Sequence, residues 1–282
     1  MGHGKILAWR LGVPLVTVVT TYSGSECTAI QSMIEDGAKK MYSHRDMLAS
    51  VRVYDPELTM GLSTRLSVTS GMNALAHALS CIYNPSSHRY QLMVAGEAVR
   101  SMSASLREIH AGVAGPAVVE ARTGALYGAW LCGTCIGGIG IQHKFAHIFG
   151  GSFGAPHAES HTVALPHSVG YNEAAAPPER NSLAAVALGG GADDSPAALL
   201  HALQVSLGAP TSLEAIGLSE SDLPAMREEI MEGAISHANL YEAYSEERVD
   251  AALQDMWDGR TPEVRPSAGL APAAVAEMQG RM

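Results

Sequence analysis

The stretch TSGMNALAHALSCI, residues 69–82, decides the fold, because it is a long run of small and apolar residues without a proline. Alanine, leucine and methionine lose little conformational freedom in a helix, so the segment is predicted to be helical. Segments of the same texture, separated by glycine and proline, recur as far as about residue 258. The predicted helices are roughly 67–83, 87–109, 116–140, 142–149, 160–172, 180–190, 195–207, 220–235 and 247–258, and Asp194 or Ser195 is expected to cap the one that begins near Pro196. The chain is therefore predicted to be mainly α from residue 63 onward.

Strand patterns are confined to the first 62 residues. Residues 13–20 form a β-branched run of strand length, and residues 51–56 indicate a second strand that ends at a proline. Residues 4–11 indicate a short helix before the first strand. These patterns predict three parts: a residual α/β segment over 1–62, a helical domain over 63–262 and a loose tail over 263–282.

Composition and charge exclude several classes of partner. The 282 residues carry a formal net charge of −10, with 28 acidic against 18 basic side chains, so no basic patch is expected to neutralise a row of phosphates. No apolar stretch reaches the roughly 18–20 residues needed to cross a bilayer. Four cysteines in a chain of this length indicate no disulfide framework, which favours a reducing cytoplasm. Nucleic-acid and membrane partners are not expected.

Histidines recur at a spacing of one helical turn. Residues four apart on a helix share a face, and imidazoles at this spacing can chelate a divalent metal. One such histidine is more often a hydrogen-bonded core residue, whereas several pairs in one helical scaffold favour a common site. The residues at this spacing are Asn73 and His77, His143 and His147, and His157 and His161.

Five motifs resemble those of one enzyme family. Their similarity is to maleylacetate reductases and, more widely, to the iron-containing (group III) alcohol dehydrogenases, and it extends over residues 4–262. The resemblance implies a dehydroquinate synthase-like helical C-terminal domain with a residual α/β N-terminal segment. The motifs are TTYSGSE at 20–26, TSGMNALAHA at 69–78, LYGAWLCG at 126–133, the histidine signature over 143–167, and WDGR at 257–260.

The resemblance also implies a site and its cofactors. In the iron-type enzymes a metal such as Fe²⁺ or Zn²⁺ polarises the substrate oxygen while NAD(P)H exchanges hydride with the carbon. By this likeness, the metal position falls on His77, His143 and His157, with Asn73 where the family usually has Asp. The catalytic residues implied are His147, His143, His157 and His77, and the cofactor-binding residues are Thr20, Thr21, Tyr22 and Ser25.

Two departures from the family pattern change these expectations. Asn73 removes the anionic ligand, so metal affinity should fall; maleylacetate reductases share this Asn, and their histidines suit direct binding of an acidic substrate. The chain also begins after the place where the family has its GGGS phosphate-binding loop, which predicts a truncated dinucleotide domain and weakened NAD(P)H binding.

Three functions follow as alternatives. The first is an NAD(P)H-dependent reductase of a carbonyl or enone acid. The second is a non-redox dehydratase, isomerase, decarboxylase or cyclase that reuses the histidine pocket in a biosynthetic pathway, and the third is a silent subunit. A homodimer is expected, because a shortened sheet exposes an apolar edge. His161 and His167 are expected to support the pocket from behind.

Overall fold

A computed structural model describes residues 1–35, 38–136, 140–232 and 245–265. Within these residues the protein is mainly helical, as predicted. Four short strands lie near the amino terminus and the long helices follow. The strands are β1 (Val16–Val19), β2 (Ile30–Glu35), β3 (Ala38–Ser43) and β4 (Val51–Tyr54). The helices are α1 (Gly2–Leu11), α2 (Thr64–Ile82), α3 (Arg89–Ala111), α4 (Pro116–Thr134), α5 (Ile141–Gly151), α6 (His157–Glu173), α7 (Pro178–Leu188), α8 (Pro196–Ser206), α9 (Leu223–Glu232) and α10 (Glu246–Asp258).

The strands form two separate two-stranded sheets. β1 pairs with β4 in parallel, with Val16 opposite Val51 and Val19 opposite Tyr54. β2 and β3 form an antiparallel hairpin with Ile30 opposite Ser43. The parallel pair coincides with the two predicted strands, whereas the hairpin was not predicted.

One face of the parallel sheet is open. Because side chains alternate along a strand, every second residue of β1 and β4 points to the same face. On this face the side chains are between 41% and 59% exposed, although parallel sheets are normally covered on both sides. The residues concerned are Val16, Val18, Val51 and Val53.

Helix α2 is the centre of the helical part. It packs against α3, α4 and α6, and its residues from Ser67 to Ile82 are almost all buried. Its first turn is capped by Ser63, whose hydroxyl oxygen accepts a hydrogen bond from the backbone N–H of Leu66 at 3.2 Å. A second apolar core joins α5, α6, α9 and α10. The contacts of α2 with α6 and α5 place it beside the α5–α6 pair.

Several predicted helix boundaries need correction, and α2 begins at Thr64 rather than at 67. α4 ends at Thr134 rather than running to residue 140, and α6 begins at His157 rather than at 160. The predicted helix over 220–235 begins at Leu223, and its last three residues lie outside the described residues. Most of the predicted tail, from residue 266 onward, also lies outside them. In the described part of the chain, none of the helices is both long and apolar enough to cross a membrane.

The loop after β1 is pressed against α4 at a pair of glycines. Gly24 has a φ of 71°. A Cβ on Gly133 would lie 2.5 Å from the Gly24 carbonyl oxygen and 2.8 Å from the Cys27 Cβ. Glycine on α4 is therefore required for the loop to approach this closely.

Replacing Gly133 with alanine should lower the free energy of unfolding by about 1–3 kcal/mol, because the added methyl group must displace backbone. Urea unfolding monitored by circular dichroism measures the change. Gly151→Ala is the matched control, since no atom lies within 4 Å of its added Cβ. A Gly133→Ala protein as stable as the control would show that the loop does not pack as described.

Candidate functional site

Four histidines converge because two consecutive helices form a hairpin. α5 carries His143 and His147 one turn apart, and α6 carries His157 and His161 one turn apart. Pro156 lies directly before α6. Because proline breaks a helix that runs into it, the chain turns before the second pair of histidines begins. The two helices pack against each other and bring both pairs to one place.

α2 contributes the fifth imidazole. The ring centroid of His77 lies 4.6 Å from that of His143. Asn73 lies one turn earlier on α2 and is buried. The other ring-centroid distances are 4.9 Å from His143 to His161, 4.5 Å from His157 to His161, 6.0 Å from His143 to His147, 6.2 Å from His147 to His157 and 6.3 Å from His147 to His161.

These five residues, His77, His143, His147, His157 and His161, are called the histidine cluster below. Its members range from the interior to the surface. His161 is 1% exposed and His143 6%, whereas His77 and His147 are half-buried and His157 is exposed. The cluster therefore opens to solvent on the side of His157. All four residues predicted as catalytic lie in it.

Three members of the cluster, His77, His143 and His161, are uncharged at neutral pH. Burial lowers the pKa of His77 to about 4, and the neighbouring imidazoles His157 and His147 lower it further. Burial likewise holds the pKa values of His143 and His161 well below the ordinary range. A neutral imidazole has one N–H donor and one lone pair, so these three residues offer hydrogen bonds without carrying a charge.

Two ring nitrogens in the cluster have no hydrogen-bond partner. They are the Nδ1 atom of His143 and the Nε2 atom of His161, and both are shielded from solvent. An unpartnered buried polar group costs about 1–3 kcal/mol. Such atoms are typical of a site whose partner arrives with a ligand.

The cluster does not fit a resident metal ion as it stands. Within the described ranges, no three His, Cys, Asp or Glu side chains are arranged to hold an ion. Asn73 supplies a neutral amide where the resemblance places an Asp, and an amide does not offset the charge of a divalent cation. The predicted metal position on His77, His143 and His157 therefore stays a prediction.

The predicted cofactor residues lie in the loop at the carboxyl end of β1, the usual side for nucleotides in parallel sheets. Thr20 is exposed, and Thr21 and Ser25 are half-buried. Tyr22 is fully buried, and its hydroxyl oxygen accepts a hydrogen bond from Arg122 at 2.9 Å. The cofactor role of these residues stays a prediction, and Tyr22 anchors their loop through its contact with Arg122.

The sequence predicts that His161 and His167 both support the pocket from behind, whereas the structure places these two residues in different surroundings. His161 belongs to the cluster itself, as its spacing of four from His157 indicates. His167 lies elsewhere on α6, near Tyr171, Arg248 and Arg265. Gln142, which contacts His161, has no sequence signal of its own.

His167 should make the protein sensitive to acid. Burial lowers its pKa to about 3, with smaller contributions from His201 and Arg265, whereas a histidine in the unfolded chain titrates near about 6.5. Below pH 6.5 the unfolded state binds a proton that the folded state does not, so stability falls as pH falls. The loss from this residue alone is about 2 kcal/mol at pH 5.

His167→Gln should remove that loss. Urea unfolding at pH 7 and pH 5 should give a pH dependence about 2 kcal/mol smaller in the variant than in the original protein. His110→Gln, at an exposed position on α3, is the control and should change the pH dependence far less. Equal pH dependence in the original protein and His167→Gln would contradict the expectation.

Comparison with known proteins gives consistent findings. The sequence profile of the Fe-containing alcohol dehydrogenase family, C-terminal, matches residues 67–257. The chain is 42% identical over 233 residues to a maleylacetate reductase of Pseudomonas sp. (strain P51), a match that covers 82% of this chain and 64% of that relative. It is 39% identical over 267 residues to the maleylacetate reductase of Rhizobium sp. (strain MTP-10005), covering 93% of this chain and 72% of the relative.

Solved structures agree in fold. The crystal structure of the Rhizobium sp. strain MTP-10005 maleylacetate reductase superposes with a TM-score of 0.85 at 37% identity, covering 93% of this chain and 72% of that chain. An iron-containing alcohol dehydrogenase from Corynebacterium glutamicum superposes with a TM-score of 0.84 at 32% identity, covering 92% and 70%. The chain thus spans slightly less than two thirds of the Pseudomonas relative and somewhat more of the two solved structures.

Proposed function

Because the chain belongs to the iron-containing alcohol dehydrogenase family, we propose that it is an oxidoreductase of the maleylacetate reductase type, which reduces a carbonyl or enone acid with NAD(P)H. The observation that carries this proposal is the convergence of five imidazoles in one cluster that reaches the surface at His157. Four of the five are predicted to be catalytic. The names of the similar proteins supply the substrate class.

The cluster suits an acidic substrate by its hydrogen bonds. Carboxylate and carbonyl oxygens accept hydrogen bonds, and neutral imidazoles supply N–H donors to them. His157, at the open side, and its neighbour His147 are placed to receive a carboxylate. The buried His143 lies deeper, beside His77, where the reacting oxygen would be held. NAD(P)H, when bound, supplies the hydride. Thr20, Thr21 and Ser25 would contact it, with Tyr22 holding their loop in place.

Fe²⁺ or Zn²⁺ has no assigned step in this proposal. Among the described residues, no three His, Cys, Asp or Glu side chains are arranged to hold an ion. Asn73 stands where the resemblance places the anionic ligand. Imidazole N–H groups instead stabilise the negative charge that develops on the substrate oxygen, as preorganised donors do in other acyl and carbonyl chemistry.

We propose further that the protein is a homodimer in the cytoplasm. The open valine face of β1 and β4 is apolar, and a second copy would remove it from water. The cysteines Cys27, Cys81, Cys132 and Cys135 are all free thiols, which suits a reducing compartment. Light scattering that gives the mass of one chain would contradict the dimer.

The activity is tested by following NADH and NADPH oxidation at 340 nm with maleylacetate as substrate. We expect saturable oxidation of at least one cofactor, and a loss of about 10²–10³-fold in kcat when His143 is replaced by alanine. His110→Ala is the control, because that residue is exposed and lies outside the cluster. Conversion of substrate without any nicotinamide would support the non-redox alternative instead, which no observation favours at present.

A further inference from the structure

His161 is the most deeply buried member of the cluster, and it has no role in the function proposed so far. Its ring lies 4.5 Å from that of His157 and 4.9 Å from that of His143, measured between centroids. Its Nε2 atom is shielded from solvent and has no partner. The side chain is therefore held among the other imidazoles with one polar atom left free for a ligand.

Gln142 determines which nitrogen of His161 carries the proton. The amide Nε2 of Gln142 lies 3.1 Å from the backbone carbonyl oxygen of His161, which can only accept, so the orientation of the amide is fixed. The same Nε2 lies 3.0 Å from the ring Nδ1, closer than the 3.2 Å between that Nδ1 and the amide oxygen. An amide nitrogen has two hydrogens and can serve both acceptors. Nδ1 is then the acceptor, and the ring proton lies on Nε2.

We infer that His161 is a further catalytic residue, whose Nε2–H donates a hydrogen bond to the substrate oxygen that becomes negatively charged, and that Gln142 is its positioning residue. The inference rests on the proposed function. Hydride addition to the substrate carbon moves an electron pair onto the carbonyl or enolate oxygen, and the nicotinamide is oxidised. His161 keeps its proton in this step, and solvent later protonates the product.

The burial of this donor explains why it would be effective. A hydrogen bond to a developing charge is worth more in a site that excludes water, and a donor already in place costs no reorganisation. The cost of leaving the N–H unpartnered in the free protein is offset only when the oxygen arrives. The role that a metal would have as an electrophile is then carried by an N–H group.

The tautomer is tested first, because this measurement does not depend on activity. Nitrogen-15 NMR of histidine-labelled protein distinguishes a protonated from an unprotonated Nε2, and the spectrum of His161→Gln assigns the signals of residue 161. We expect Nε2 of His161 to be protonated, and its signal to shift when maleate, a non-reacting dicarboxylate, is added. An unprotonated Nε2, which is what a metal ligand would need, or a signal that maleate leaves unchanged, overturns the inference.

Kinetics then separate a catalytic from a structural role. His161→Phe should lower kcat by about 10²–10³-fold while KM changes only a few-fold. His161→Gln keeps an N–H near the Nε2 position and should recover to within about 10-fold of the original kcat. In Gln142→Met no amide fixes the tautomer of His161, and the kcat of this variant should lie between those of His161→Phe and His161→Gln.

His201→Phe is the matched control. His201 is a buried histidine on α8, outside the cluster, so its replacement should lower stability without lowering kcat. A His161→Phe protein that keeps the original kcat overturns the inference. If the original protein oxidises no nicotinamide at all, the proposed function fails. The tautomer and maleate measurements then still decide whether the Nε2–H of His161 donates a hydrogen bond to a bound dicarboxylate.

Discussion

Replacing Lys5 with methionine is expected to lower the free energy of unfolding by about 3 kcal/mol, as is usual when a buried polar network loses its charged donor. Lys5 is fully buried. Its Nζ donates to the carbonyl and hydroxyl oxygens of Ser25, to the Thr28 hydroxyl at 2.8 Å and to the Ile30 carbonyl at 3.2 Å. Methionine fills the same space but leaves these acceptors without a donor.

Two further effects set the size of that loss. Burial lowers the pKa of Lys5 to about 8, so the ammonium itself is costly to bury, and the nearby carboxylate of Glu26 offsets part of this cost. The net figure is therefore smaller than the sum of the charged hydrogen bonds that its three N–H groups can make. Urea unfolding at pH 7 measures it, with Lys40→Met as the exposed control. A loss no larger than that of the control would mean that the oxygens find other donors.

Replacing Arg122 with methionine is expected to have a similar effect, about 3 kcal/mol, and to raise the KM for NAD(P)H more than it lowers kcat. The buried guanidinium donates to the Tyr22 hydroxyl at 2.9 Å, to the Ser67 hydroxyl at 2.7 Å and to the Leu62 carbonyl at 3.2 Å. It thereby ties the loop after β1 to the start of α2. Without it, the loop proposed to hold the cofactor loses its anchor.

Arg100→Met is the control for this variant. Arg100 lies on the exposed face of α3, where it pairs with Glu97 at 2.6 Å, and surface pairs of this kind contribute about 0–1 kcal/mol. Arg122→Lys should recover little, because one ammonium cannot reproduce the planar fork that reaches three acceptors. An Arg122→Met protein with an unchanged KM for both cofactors would show that the loop does not depend on this contact.

Much of the helical part could be predicted because its signals are local. α3, α5 and α7 lie within about two residues of their predicted bounds, since proline and glycine mark their ends and apolar periodicity marks their middle. Ser195, one of two residues expected to cap α8, does so through its hydroxyl oxygen. The end of α4 was missed because the apolar texture continues past Thr134.

The β2–β3 hairpin was missed although a signal was present. The residues between its strands in the sequence are Asp36 and Gly37, a pair that favours tight hairpins. The strands themselves, with Lys39 and Lys40 in β3, show too little hydrophobic alternation to predict on their own. Here a turn signal was more informative than the strands that flank it.

The histidine cluster was largely predictable, whereas its support was not. Spacing and resemblance identified His77, His143, His147 and His157, because each lies on a helix with a clear period. The roles of Lys5, Arg122 and Gln142 depend on contacts between residues far apart in the sequence, such as the one that joins Arg122 to Tyr22. No local pattern reports such a contact, so only the folded chain reveals it.

The α5–α6 hairpin has a consequence for how the pocket forms. Four of its five imidazoles come from one stretch of chain, residues 143–161, so most of the site can assemble through contacts of short sequence separation. Only α2 must be brought in from a distance. We therefore expect the α5–α6 part of the recognition surface to form mainly through local contacts, and its completion to require the docking of α2.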